Sequence, residues 1–132
     1  MKSILNILLM VVLAATYRDS MGRVSGSSTT QGNKTIYRDS MGRIQGTGTT
    51  NGGKTTYRDA MGRIQGTATT QGNKTTYRDP MGRTQGTATT DKNGKTTYRD
   101  SMGRIQGSST TDKNGKTTYR DAMGRVSGTS KQ

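Results

Sequence analysis

The sequence predicts an all-β protein made of tandem two-stranded units of about 20 residues, running as an antiparallel β-meander or stacking as a β-solenoid. Three observations carry this. Tyr17, Tyr37, Tyr57, Tyr77, Tyr98 and Tyr119 are spaced by 20, 20, 20, 21 and 21 residues, and each opens the string YRDxMGR. Turn-forming residues punctuate every unit at two places. Between the turns lie short runs such as KTTYRD and RIQGTATT, whose Thr, Tyr and Ile content suits strands. A period near 20 residues marks an architecture in which one unit buries too little surface alone and leans on its neighbours.

The first punctuation is Asp-x-Met-Gly-Arg, as in Asp39 to Arg43. An Asp at the first turn position bonds to backbone two residues on, and a Gly at the fourth adopts the left-handed conformation that ends a type I turn with a G1 bulge. Gly22, Gly42, Gly62, Gly82, Gly103 and Gly124 hold that fourth position and, with the six tyrosines, form the predicted structural ladder of the repeat. In Asp79-Pro80-Met81-Gly82 the chain's one proline falls where a type I turn needs φ near −65°. The second punctuation is QGNK at Gln31 to Lys34 and Gln71 to Lys74, lengthened by one residue to DKNGK at Asp91 to Lys95 and Asp112 to Lys116. An insertion confined to a turn leaves the side-chain alternation of the strands intact.

Alternation then assigns faces. Thr55, Tyr57 and Asp59 share one side of their strand, Thr56 and Arg58 the other; Ile64, Gly66, Ala68 and Thr70 point one way, Arg63, Gln65, Thr67 and Thr69 the other. The expected inner face is Tyr, Ile, Gly, Ala and Thr, and the outer face a grid of Arg, Lys, Gln and Thr.

Residues 1–15, MKSILNILLMVVLAA, have the charged start, apolar run and small-residue end of a secretory signal peptide, with cleavage expected after Ala14 or Ala15. The run is too short for a comfortable bilayer span, so no stable membrane span is expected once it is removed. Residues 16–132 form a single repeat domain of six units of 20 or 21 residues, and the expected location is secreted or at the cell surface.

Only 26% of the chain is hydrophobic, and part of that lies in the leader, so the core is thin. Burial of side chains worth on the order of 2 kcal/mol each cannot alone order some 20 residues per unit. Either a backbone ladder with repeated cross-strand pairs, extended by self-association, supplies what is missing, or the isolated chain is largely disordered. The net charge of +13 comes from 21 basic residues against eight Asp, spread evenly, which suits solubility and polyanion attraction alike. Cysteine is absent, so no disulfide staples the chain.

The string DKNGKTTYRDSMGRIQG, Asp91 to Gly107, resembles the tyrosine-aspartate (YD, or RHS-type) repeats of bacterial secreted and surface proteins, in its Gly turn, Thr run, Tyr, nearby Asp, then Gly-Arg and an aliphatic residue. This chain differs by placing Arg between Tyr and Asp and Met in the turn. The resemblance implies curled antiparallel sheets that enclose cargo or make surface contacts, with six units too few for a closed shell. In period and style, the sequence is also similar to curli-type amyloid repeats, which implies two-stranded rungs stacked as a solenoid.

Chemistry is sparsely represented. His, Cys and Glu are missing, which removes the usual bases, thiol nucleophiles and metal sets, so the chain is not expected to be an enzyme, to carry a cofactor or to take a small-molecule substrate. Asp91-Lys92-Asn93-Gly94 lacks the oxygen ligands of a calcium loop. Thr47 with Thr49, Thr67 with Thr69 and Thr87 with Thr89 give paired hydroxyls on one face, a pattern compatible with ice binding. The functional expectation is an exported structural protein whose uncapped repeats add edge to edge or end to end into a fibre or surface layer. The alternative is a surface-binding module for polyanion, glycan or ice through its Arg/Thr/Tyr face.

Overall fold

A computed structural model describes residues 14–131. Of the signal-peptide reading of residues 1–15, residues 1–13 lie outside the described residues, and the two cleavage candidates, Ala14 and Ala15, open the first strand. Twelve strands run β1 (Ala14–Asp19), β2 (Val24–Gln31), β3 (Lys34–Asp39), β4 (Ile44–Asn51), β5 (Lys54–Asp59), β6 (Ile64–Gln71), β7 (Lys74–Arg78), β8 (Thr84–Thr90), β9 (Lys95–Asp100), β10 (Ile105–Thr111), β11 (Lys116–Asp121) and β12 (Val126–Lys131). All pair antiparallel with their sequence neighbours, and β12 returns to β1, so the meander closes into a barrel.

Closure corrects two expectations. The units form no solenoid, and they leave no uncapped strand edge among the described strands. The closing pair repeats the internal register: Tyr17 faces Ser130 and Asp19 faces Gly128 across β1 and β12, as Tyr37 faces Ser28 and Asp39 faces Gly26 across β2 and β3. Each strand's outer hydrogen-bonding edge is thereby occupied, and no open edge remains among the described strands.

Both turn types follow the local sequence. In every YRDxMGR turn the Asp N–H donates to the Arg carbonyl and the Gly N–H to the Asp carbonyl, for example Asp39 to Arg43 at 2.9 Å and Gly42 to Asp39 at 3.0 Å. Gly42 sits at φ 86°, the left-handed conformation a G1 bulge requires. The long turns at Asp91 and Asp112 share this geometry. The short ones place Gly32, Gly52 and Gly72 at φ near 60° in two-residue loops, with a second central residue that is not left-handed, which makes them type II′.

The core is a ring of phenols. All six tyrosines are buried, joined by Ala68 and Ala88 and by Ser28, Ser109 and Ser130. Each tyrosine lies opposite a glycine of the following strand, as Tyr57 faces Gly66, so the ring meets no competing side chain. Eleven residues after three of the tyrosines comes a serine that partners the hydroxyl. Tyr17 bonds Ser28 at 2.9 Å, Tyr98 bonds Ser109 at 2.7 Å and Tyr119 bonds Ser130 at 3.3 Å. Tyr57 has Ala68 there, and its buried hydroxyl has no hydrogen-bond partner.

This difference is measurable. Tyr98→Phe should cost about 1 to 2 kcal/mol because it strands the buried Ser109, whereas Tyr57→Phe should be neutral or stabilising. Ala68→Ser should add about 1 kcal/mol by giving Tyr57 the partner Tyr98 already has. Urea midpoints of the three variants check the ranking; equal losses for the two phenylalanine variants would contradict the hydrogen-bond pattern.

Isoleucine corrects the expected faces. Tyr57 pairs with Gly66 while Arg58 pairs with Ile64, so Gln65 is an extra residue, a bulge that recurs in every Met-turn hairpin. Gly66 and Ala68 are buried with the tyrosines, but Ile64 is left 48% exposed beside Arg58 on the outer wall. The other members of the series, Val24, Ile44, Ile105 and Val126, are likewise exposed.

Candidate functional site

Because the chain meanders, every YRDxMGR turn falls at one end of the barrel and every Gly/Asn turn at the other. The first end gathers all twelve arginines and six of the eight aspartates; the second holds eight lysines, with Asp91 and Asp112. Each end therefore carries an excess of six positive charges. A charge that is evenly spread along the sequence becomes two rings in space.

The arginine end is held rigidly. One carboxylate oxygen of Asp39 accepts from the N–H of Met41 and of Arg43, both at 2.9 Å, and the other accepts from Nε of Arg43 at 2.8 Å. The same bonds recur at Asp19, Asp59, Asp79, Asp100 and Asp121. The backbone N–H of the arginine, more than its charge, holds these six carboxyls below the ordinary Asp range. The Asp is therefore consumed in building the turn. Its arginine, though anchored through Nε, stays 73–74% exposed in all six copies.

A second arginine braces most of these turns from the side. Arg18 donates to the carbonyl of Gly22 at 2.9 Å, and Arg38, Arg78, Arg99 and Arg120 make the equivalent bond. The predicted ladder thus divides: the tyrosines form the buried ring, and Gly22, Gly42, Gly62, Gly82, Gly103 and Gly124 shape the exposed turns that carry the arginines. The turn methionines stand 77–80% exposed at the turn apices.

The lysine end is lined by hydroxyls. Facing threonines contact in pairs: Thr30 with Thr35, Thr50 with Thr55, Thr70 with Thr75, Thr90 with Thr96 and Thr111 with Thr117, at 2.7–2.8 Å. An open recess of about 520 Å³ lies there between Thr70, Gly72, Asn73, Thr75, Thr90, Asp91 and Lys92. The Thr-x-Thr pairs sit elsewhere, on the outer wall, where the barrel wraps them round a curved surface; Thr47 faces Ile36 and Arg58, and Thr49 faces Lys34 and Thr56.

The ring of phenols is sealed between the two ends. Burial pushes every tyrosine up in pKa, Tyr17, Tyr57 and Tyr98 to about 12, with neighbouring phenols adding to the effect at Tyr17, Tyr37, Tyr77 and Tyr98. Such phenols stay protonated and hold the core, so the tyrosines are placed as structure and the arginines as the accessible chemistry.

No family model matches the sequence, and comparison with curated proteins finds no match.

Proposed function

We propose that this protein is a surface-binding module for polyanions, working through the arginine ring at one end of the barrel. The observation that carries the reading is the combination of anchoring and exposure: six arginines fixed at Nε by the turn aspartates, yet about three quarters exposed. Side chains already held in place lose less freedom on binding, and a guanidinium fork suits phosphate, sulfate and carboxylate oxygens. The ring geometry offers many such contacts at once. With the exported character of the sequence, the reading puts the module outside the cell, at a surface or in a matrix.

The alternative is a self-assembling fibre that grows edge to edge or end to end. The closed sheet leaves end-to-end stacking as its route, and that sets two ends with an excess of six positive charges against each other. Bridging polyanions would relieve the repulsion, which makes assembly a consequence of binding in this reading. Electron microscopy of the protein alone tests the distinction: ordered filaments with a cross-β spacing near 4.7 Å would restore the fibre.

The direct test is salt-dependent retention on an anionic polymer. Binding should weaken linearly in logarithmic plots of affinity against salt, and replacing Arg43, Arg63 and Arg83 by Ala should lower that slope by up to about one per arginine. Retention that ignores salt, or an unchanged slope in the triple variant, would remove the arginine ring from the function.

A further inference from the structure

We infer that the arginine end docks on anionic lipid bilayers, with the six turn methionines entering the membrane. The inference rests on the polyanion reading and names the polyanion. Met21, Met41, Met61, Met81, Met102 and Met123 occupy the apices of six turns round a single mouth, each 77–80% exposed. A flexible, polarizable thioether adapts to an irregular apolar surface. Just behind the apices stand the exposed arginines, and behind these, on the outer wall, the half-exposed Val24, Ile44, Ile64, Ile105 and Val126.

The order of these layers selects the occupant. An apolar tip leading and a ring of cations one step behind match the depth profile of a lipid leaflet, in which acyl chains lie beneath a phosphate layer. A nucleic acid or an acidic polysaccharide presents charge at its surface with no apolar layer beyond it, so the methionines would gain nothing there. A second copy would bring the same excess of positive charge. Only the bilayer uses both features of the ring.

Insertion at one turn is weak, and six turns fixed on a rigid barrel act together. The turns need no rearrangement to bind, since the Asp, Gly and Arg bonds leave the methionine side chain out of the turn's internal bonding.

The test is cosedimentation of the protein with vesicles of phosphatidylcholine alone or with phosphatidylglycerol, run beside retention on an anionic polymer. The variants carry Met41, Met61 and Met81 all replaced by Ser, or all by Leu. The expected result is binding to the anionic vesicles, a loss of about tenfold or more in the Ser variant, wild-type binding in the Leu variant, and equal polymer retention in all three. The methionines point to solvent, so circular dichroism should show all three folded alike. Vesicle binding unchanged by Met→Ser would overturn the inference, as would polymer retention without any vesicle binding, which leaves the polyanion reading standing. Failure on both polymer and vesicles would overturn both.

Discussion

Raising the pH above about 10 should unfold this protein in one steep transition, with all six tyrosines ionising as the barrel opens. A free phenol titrates near 10, whereas burial in the ring pushes Tyr17, Tyr57 and Tyr98 to about 12 and raises the other three as well. The folded state therefore keeps protons that the unfolded chain releases. The stability conferred by these groups is fully present below the unfolded value and is lost as the pH rises from about 10 towards the folded values. Each tyrosine contributes a slope of about 1.4 kcal/mol per pH unit in that window. Acting together, they would exhaust the 5 to 15 kcal/mol typical of a domain within about two units. Tyrosinate absorbance and far-ultraviolet circular dichroism followed in the same titration should move together. Ordinary tyrosine titration with an unchanged circular dichroism signal would mean that the phenols are not sealed in the core.

Gly46→Ala should destabilise by about 3 kcal/mol or more, while Gly48→Ala, two residues away on the same face, should change stability by less than about 1 kcal/mol. A methyl group on Gly46 would overlap the carbonyl oxygen of Arg58 on the neighbouring strand, a backbone atom that cannot swing aside. Gly26 is similarly placed, its added Cβ lying 2.6 Å from the carbonyl oxygen of Arg38. At Gly48 the nearest atoms are the Tyr37 hydroxyl and the Tyr57 ring, at 3.2 and 3.3 Å. Those side chains adjust, and two other units already hold Ala68 and Ala88 at the equivalent position. Position 46 and its equivalents are glycine in all six units. Thermal unfolding of the two variants separates a backbone collision from ordinary packing; similar midpoints would show that strand spacing at Gly46 tolerates a side chain.

Some expectations failed for an identifiable reason. Assigning Tyr57, Asp59, Ile64, Gly66 and Ala68 to one face conflicts with the turn that joins their strands. Closing Asp59 on Arg63 in a regular ladder would bring Tyr57 opposite Gln65. Packing Gly66 and Ala68 with the tyrosines needs one extra residue between, and the bulge at Gln65 supplies it. The same bulge turns Ile64 outward, so an apolar side chain expected in the core becomes part of the wall behind the methionines. That inconsistency was a usable signal, present in the residue count of each hairpin. The exposed methionine ring had no comparable local sign, because its meaning depends on six turns meeting at one end.

The amino-acid sequence by itself determined the local structure: the repeat period, the strand and turn positions, the Asp- and Gly-defined turns, the proline at position 80 and the tyrosine ladder. These are set by contacts a few residues apart, through φ preferences, side chain to backbone bonds and alternation. Tertiary structure decided whether the ladder would stack, stay open or close. Closure depends on accumulated strand twist and coiling, on the bulges that sharpen them, and on β12 reaching β1 in the register used by every internal pair. Each contribution is small, and their sum over twelve strands fixes the barrel. The same sum gathers the arginines at one end and the lysines at the other, because a meander sends alternate turns to opposite mouths.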